Sequence, residues 1–172
     1  MRRCKPLLIT AFAFVFSLCS TSIAIAGGNL TACEEPNVLV ILDNSGSMNE
    51  NGKWNQAKQA ILGIADQFDA LMRLGLMIFP YPNVGGCNVN RPGAVLAGCA
   101  PMNGGTISNA LGFVGNPRND NLTPIGRALQ EGRNYIAEQR TPGRRSFIIL
   151  VTDGIERCDG DGPGQASQAF AD

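Results

Sequence analysis

Histidine is absent from all 172 residues of the chain, and its absence excludes several kinds of site. A Ser-His-Asp triad needs an imidazole as its general base. Structural zinc sites draw on histidine or on closely spaced cysteines, and none of the six cysteines here forms a CxxC pair. The sequence therefore argues against a triad hydrolase and against a structural zinc site.

An excess of positive charge is also lacking, with 14 Lys and Arg against 14 Asp and Glu. Three of the basic residues, Arg2, Arg3 and Lys5, precede an apolar stretch that closes with Ala24-Ile25-Ala26. This pattern predicts a secretory signal peptide over residues 1–26, with an uncleaved membrane anchor as the less favoured alternative. Its removal leaves 11 basic and 14 acidic residues, so we expect no nucleic-acid partner and no membrane span in the mature chain.

Four cysteines would remain after export: Cys33, Cys87, Cys99 and Cys158. In an exported protein they favour disulfides, and four cysteines allow three pairings. We predict a bond between Cys87 and Cys99, because both lie in one short glycine-rich segment. Residues 30–33, Leu-Thr-Ala-Cys, resemble a bacterial lipoprotein cleavage box, so a lipid anchor at Cys33 is a less favoured alternative.

Apolar runs predict the strands of a covered sheet. Residues 38–42 and 146–151 are apolar on both faces, which is typical of central strands buried between two layers of helices. A shorter strand is predicted over residues 74–79 and an edge strand over residues 94–97. Residues 27–36 form a linker ahead of these elements.

Helices are predicted between the strands. Apolar residues recur at spacings of three and four from Trp54 to Met72, with Lys53 on the polar side, and again from Ile125 to Ile136. A short helix is predicted over residues 106–114. Strands that alternate with helices indicate an α/β fold, a Rossmann-like, doubly wound and mostly parallel sheet flanked by helices. Only the start of one more helix follows the last strand, so we expect the sheet to be incomplete on its C-terminal side.

Polar side chains follow both apolar strands at the point where each strand ends. Asp43, Ser45 and Ser47 follow the first, and Asp153 follows the last. Ligand sites of parallel sheets lie beyond the carboxyl ends of the strands, so we expect these side chains to meet at one edge. Hydroxyls and carboxylates without histidine or thiolate are hard oxygen ligands, which suit Mg²⁺, Ca²⁺ or Mn²⁺.

Each of these motifs has a simpler explanation when taken alone. Ser and Asp after a strand often cap the next helix, Thr123-Pro124 fits the first positions of a helix, and Asp153-Gly154 fits a turn. An aspartate-based phosphotransferase or phosphatase is the enzymatic alternative, since Asp43 at a strand tip would be placed to attack phosphate. Against it, Ser45 stands where that site usually has a second acid, and no lysine partner is evident.

Together the motifs resemble the metal-ion-dependent adhesion site of the von Willebrand factor type A (VWA) domain, of the bacterial secreted type. The DxSxS pattern is met by Asp43, Ser45 and Ser47, the threonine of a later loop by Thr123, and the second aspartate by Asp153. The resemblance implies that the three hydroxyls bind a divalent cation, with Mg²⁺ preferred over Mn²⁺ or Ca²⁺. The two aspartates would act largely through water or hydrogen bonds.

The resemblance covers residues 37–172 and implies a partial VWA-like domain. It implies a secreted, metal-dependent protein-binding or adhesion module that is not an enzyme, and whose protein ligand completes the coordination of the ion with an acidic side chain. The expected location is secreted, periplasmic or at the bacterial cell surface. Besides the phosphotransferase, a non-functional truncated fragment of a longer protein is the remaining alternative.

Overall fold

The computed structural model describes residues 34–81, 85–89 and 94–171. The predicted signal peptide, most of the predicted linker and Cys33 lie outside the described residues. Glu35–Asp172 forms one compact unit. Within these described ranges, no helix combines the length and the apolar character needed to cross a membrane.

Strands and helices alternate along the chain, as the sequence predicts. The strands are β1 (Asn37–Asp43), β2 (Arg73–Phe79), β3 (Val95–Ala100) and β4 (Ser146–Val151). The helices are α1 (Lys53–Phe68), α2 (Gly104–Phe113), α3 (Ile125–Glu138) and α4 (Gly162–Ala171). A short 3₁₀ segment, Gly46–Gly52, joins β1 to α1.

The four strands form one sheet in the order β3-β2-β1-β4. β1 pairs in parallel with β2, ending at the pair of Asp43 and Phe79, and in parallel with β4, ending at the pair of Leu42 and Val151. β3 runs antiparallel to β2. The sheet is therefore mostly parallel, and the tips of β1, β2 and β4 lie at one edge.

β1 is apolar on both faces because helices cover the sheet on both sides. All seven of its residues are buried. Val40 and its neighbours on that face pack with residues of α1 and α2, including Trp54. Leu39 and Ile41 on the opposite face pack with residues of α3. Full burial of each aliphatic side chain contributes roughly 1.5–3 kcal/mol, which makes β1 a rigid support for the polar loop at its end.

β4 is the edge strand of the described sheet, which agrees with the expected incompleteness of the sheet on its C-terminal side, but one of its faces is partly exposed where the sequence predicts cover on both. Phe147 is 50% exposed and Ile149 is 38% exposed. Ile148 and Leu150 instead pack with the core on the α3 side. A continuous apolar run is compatible with a strand covered on two faces and with one covered on a single face, and this ambiguity explains the error.

Two element boundaries also differ from those predicted. Helix α1 ends at Phe68, and Leu71, which continues the helical spacing, is 61% exposed in the turn after the helix. β3 extends to Ala100, three residues past its predicted end. Apolar residues at helical spacing continue beyond the end of α1, whereas the apolar pattern that predicts β3 stops before the end of that strand.

Two helical glycines provide a matched test of how tightly the start of α3 packs. A Cβ atom on Gly126 would lie 2.7 Å from the backbone nitrogen of Asp161, whereas one on Gly63 would meet nothing within 4 Å. We expect Gly126→Ala to lower the free energy of unfolding by roughly 1–3 kcal/mol through this clash. Gly63→Ala should raise it by about 0.5–1 kcal/mol through helix propensity. Urea unfolding checks both, and equal effects would contradict the packing.

Candidate metal centre

The carboxyl edge of the sheet brings the predicted site segments together. The loop after β1 contacts the segment after β4, where the Ser47 hydroxyl donates to Asp153 Oδ1 at 2.9 Å. The Thr152 hydroxyl donates to Asp43 Oδ2 at 2.6 Å. Thr123, which precedes α3, contacts the same segment through its backbone oxygen. All five residues named from the sequence therefore lie at this edge.

Asp43 ends β1 and has no exposed surface. Its Oδ1 accepts the backbone N–H of Ser45 at 2.7 Å, and its Oδ2 accepts the hydroxyl of Thr152. Burial raises the pKa of Asp43 above its usual range, although both hydrogen bonds act in the opposite direction. A buried carboxylate whose two oxygens already accept hydrogen bonds is poorly presented to an incoming phosphoryl group, as the phosphotransferase alternative would require.

The hydroxyls of Ser45 and Ser47 converge on one point. Their Oγ atoms are 3.1 Å apart, and Ser45 is 1% exposed. Ser45 occupies the N-cap position of the 3₁₀ segment without a capping hydrogen bond from its side chain. The capping explanation for this serine therefore fails, and its side-chain oxygen contacts Ser47 Oγ instead of the backbone of the 3₁₀ segment.

Thr123 is buried beside the tip of β4. A Cβ atom on Gly154 would lie 3.2 Å from Thr123 Cγ2, 3.4 Å from Thr123 Oγ1 and 3.7 Å from Asp43 Oδ2, so Gly154 lies directly beside both residues. The residue at the N-cap of α3 is Pro124, not Thr123, and there is no side-chain capping bond. The backbone oxygen of Thr123 accepts the N–H of Arg157 at 3.1 Å, which ties the two segments together.

Gly46 lets another loop approach the serines closely. A Cβ atom there would lie 2.9 Å from the backbone oxygen of Asn119, closer than real Cβ atoms come. The Gly46 N–H donates to the backbone oxygen of Asn121 at 3.0 Å, and the Asn121 side chain donates to the backbone oxygen of Asn44 at 2.8 Å. Sequence motifs did not single out Asn119 or Asn121, because their contribution depends on a contact between distant loops.

Lys53 is a charged neighbour of the site that the motifs missed. Its Nζ lies 2.5 Å from Asp153 Oδ2 and 3.8 Å from Glu50. Burial raises the pKa of Asp153, but the hydrogen bonds from Lys53 and Ser47 outweigh it and hold this pKa below its usual range. The helical spacing predicts Lys53 on the polar side of a helix, and the sequence alone indicates no lysine partner for Asp43. The lysine is present, on Asp153 and not on Asp43.

A cleft of about 490 Å³ opens beside these hydroxyls. It is lined by Ser45, Gly46, Ser47, Glu50, Asn119, Asn121, Leu122, Thr123 and Arg157. The described part of the chain holds no group of three or more acidic, cysteine or histidine side chains placed to bind an ion. A cation at this edge would therefore depend on hydroxyl oxygens supplemented by the two aspartates.

The predicted disulfide between Cys87 and Cys99 is wrong. Cys87 is bonded to Cys158, 71 residues away in the sequence, with Cα atoms 5.7 Å apart. Cys99 is free and buried, and the backbone N–H of Cys99 donates to the Tyr135 hydroxyl at 2.7 Å. Proximity in sequence was misleading, since β3 turns Cys99 into the core whereas Cys87 reaches the site edge. The disulfide fixes the chain five residues after Asp153.

One known protein family matches nearly all of the described domain. The sequence profile described as von Willebrand factor type A domain matches residues 37–171. The chain belongs to the VWA family. The helix-flanked, mostly parallel sheet is the VWA fold, so the fold class and family predicted from the sequence are confirmed.

The chain spans only part of the length of the proteins to which it is similar. The uncharacterized protein YwmC of Bacillus subtilis (strain 168) is 28% identical over 165 residues, 90% of this chain and 70% of that protein. Proximal thread matrix protein 1 from the mussel byssus, solved with a zinc-occupied MIDAS motif, aligns at 20% identity and a TM-score of 0.62, over 80% of this chain and 35% of its own. The pilus adhesin SpaC from Lactobacillus rhamnosus GG aligns at 20% identity and a TM-score of 0.55, over 72% of this chain and 16% of its own.

The disulfide is expected to stabilise the site edge. The double variant Cys87→Ala, Cys158→Ala should lose roughly 2–4 kcal/mol of unfolding free energy, because its unfolded chain is no longer cross-linked. Non-reducing peptide mapping identifies the bonded pair, and chemical unfolding measures the loss.

The matched control for the disulfide is Cys99→Ala. This variant keeps the bond, so dithiothreitol should still destabilise it, whereas dithiothreitol should leave the double variant unchanged. A cross-linked peptide containing Cys99 would overturn the assignment.

Proposed function

We propose that this VWA domain is an exported, non-catalytic protein-interaction module that binds its partner through a divalent cation. The cation would be held by the hydroxyls of Ser45, Ser47 and Thr123, with Asp43 and Asp153 supporting them through hydrogen bonds or water. The observation that carries the proposal is the convergence of these oxygens, from three separate segments, beside one open cleft.

Oxygen spacing favours Mg²⁺ among the hard cations. Adjacent ligands of an octahedral Mg²⁺ are about 3.0 Å apart, given metal–oxygen distances near 2.1 Å, whereas the longer bonds of Ca²⁺ separate them by about 3.3 Å or more. The hydroxyl oxygens of Ser45 and Ser47, two of the proposed direct ligands, are 3.1 Å apart. The donor set therefore fits a small cation, with Mn²⁺ as the nearest substitute.

A partner carboxylate is the expected ligand for such a cation. A divalent ion that is bound directly by few carboxylates keeps residual positive charge, and this charge attracts an anionic group from outside. The cleft beside the hydroxyls provides the approach, and its wall carries one positive group, Arg157, and one negative group, Glu50. We therefore propose an acidic side chain of a protein as the group that completes the coordination.

Two relatives support a binding role over a catalytic one. The byssus protein is a thread matrix protein with a zinc-occupied MIDAS motif, and SpaC is a pilus adhesin. This chain spans about a third of the length of the first protein and less than a fifth of the length of the second. A role in adhesion or matrix assembly is therefore part of the proposal for this domain.

Export is supported by the disulfide as well as by the N-terminal pattern. Disulfides persist in oxidising compartments and are rare in the cytosol. The bond between Cys87 and Cys158 lies beside the proposed metal centre, so the site would be completed after export. We propose a secreted, periplasmic or cell-surface location.

Metal binding is tested by thermal unfolding of the purified protein. Saturating Mg²⁺ should raise the midpoint by roughly 5–10 °C, because a ligand that binds only the folded state stabilises it by mass action. The pair Ser45→Ala, Ser47→Ala should lose this shift, and Ser108→Ala on α2, which removes an exposed hydroxyl elsewhere, should keep it. No shift in the wild type, or an equal shift in the paired variant, would refute the metal site.

Carboxylate binding is tested with acetate on the Mn²⁺-loaded protein. Acetate should displace water from bound Mn²⁺ and so reduce the enhancement of water proton relaxation, whereas neutral acetamide should not. Removal of the ion with EDTA should abolish acetate binding. An acetate effect that acetamide reproduces would argue against an open coordination position for an acidic group.

A further inference from the structure

We propose that Lys53 tunes the charge of the metal centre by neutralising Asp153, so that the site binds its cation less tightly but presents that cation more strongly to an anionic partner. The inference rests on the proposed function, since it concerns how the same centre divides its affinity between cation and partner. It assigns to Lys53 a positioning and electrostatic role rather than direct contact with the ion.

The geometry links Lys53 to the centre through one carboxylate. Asp153 Oδ2 accepts the ammonium of Lys53 at 2.5 Å, while Asp153 Oδ1 accepts the hydroxyl of Ser47 at 2.9 Å. The side chain of Asp153 is 15% exposed and that of Lys53 is 33% exposed, so solvent screens part of this interaction and the effect of the lysine acts mainly at short range, on Asp153 itself. One oxygen of Asp153 thus serves the proposed ligand Ser47, and the other is occupied by the lysine.

Lys53 is held in this position by the loop that carries the serines. It is the first residue of α1 and directly follows the 3₁₀ segment, which contains Ser47. Its Nζ also lies 3.5 Å from the Ser47 backbone oxygen and 3.8 Å from Glu50. The ammonium therefore has a defined place beside the site, with Glu50 as a second anionic neighbour on the solvent side.

The charge of the centre gives the direction of the effect. Asp43 and Asp153 are the two carboxylates at the hydroxyl cluster, and Lys53 offsets one of them. With a divalent cation bound, the centre would be one charge more positive when Lys53 is present than when it is absent, and the nearby Glu50 and Arg157 contribute equally to both cases. The lysine should thus repel the incoming cation and attract an incoming carboxylate, two effects of opposite sign.

Removal of Lys53 would also free Asp153. Its Oδ2 would lose its strongest partner, and the carboxylate would be able to turn toward the cation. A carboxylate that ligates directly binds the ion more tightly and reduces the positive charge left for a partner. The loss of the lysine charge and the release of Asp153 should therefore both tighten cation binding and weaken the binding of a partner carboxylate.

The test measures two affinities in Lys53→Met, which keeps the length of the side chain without its charge. Titration of Mn²⁺, followed by electron paramagnetic resonance, should show affinity raised on the order of tenfold, the size typical of groups that adjoin metal ligands. Acetate binding to the Mn²⁺-loaded variant, followed by water proton relaxation, should weaken by a similar factor. Lys53→Gln should behave in the same way, and Lys53→Arg should stay close to wild type.

The matched control is Lys58→Met. Lys58 lies five residues further along α1, with its ammonium 5.4 Å from the centroid of the Trp54 ring. Its removal should leave both affinities unchanged, which separates a local effect on Asp153 from a general change in the charge of the helix. Thermal unfolding in EDTA establishes that each variant is folded before its affinities are compared.

The outcomes separate this inference from the proposed function. If wild type binds no Mn²⁺, the metal centre itself is refuted, and the role of Lys53 falls with it. If wild type binds Mn²⁺ and acetate, but both affinities fall together in Lys53→Met and Lys53→Gln, the lysine merely maintains the structure and the inference is wrong. Unchanged affinities in both variants would overturn it as well.

Discussion

The carboxyl edge of this domain depends on the buried carboxylate of Asp43. It ends the central strand β1, accepts the N–H of Ser45 from its own loop, and accepts the hydroxyl of Thr152 from the tip of β4. A buried carboxylate is costly unless it is hydrogen-bonded, so the two loops are stabilised only in the arrangement that satisfies both of its oxygens. In that arrangement the hydroxyl of Ser47 donates to Asp153, and the hydroxyl of Ser45 contacts that of Ser47.

The segment after β4 has several independent restraints, and each acts close to Asp153. Cys158 is bonded to Cys87, the N–H of Arg157 donates to the backbone of Thr123, and Lys53 holds the carboxylate itself. β4 has one neighbouring strand within the described residues, so the sheet alone restrains its tip less than it restrains β1. These contacts supply the rigidity that a site built partly on an edge strand requires.

Local patterns were sufficient to predict the features that depend on a few consecutive residues. β1, the DxSxS loop and the polar tip at Asp153 could be found in this way, because strand burial and loop chemistry are expressed in neighbouring positions. The partner of Cys87, the bare face of β4 and the contact of Lys53 could not. Each depends on which distant segments the fold brings together, and neither composition nor local spacing indicates which segments will be in contact.

The order of strands in the sheet also has a kinetic consequence. Asn37 on β1 lies 36 residues from its neighbour Arg73 on β2, but 109 residues from Ser146 on β4. Closing the longer loop has the larger entropic cost, and pairings distant in sequence form slowly. Asp153 reaches the serines only when β4 is paired with β1, so the complete oxygen cluster requires the assembled sheet. Occupancy of the cluster would then mark molecules in which the whole sheet has assembled.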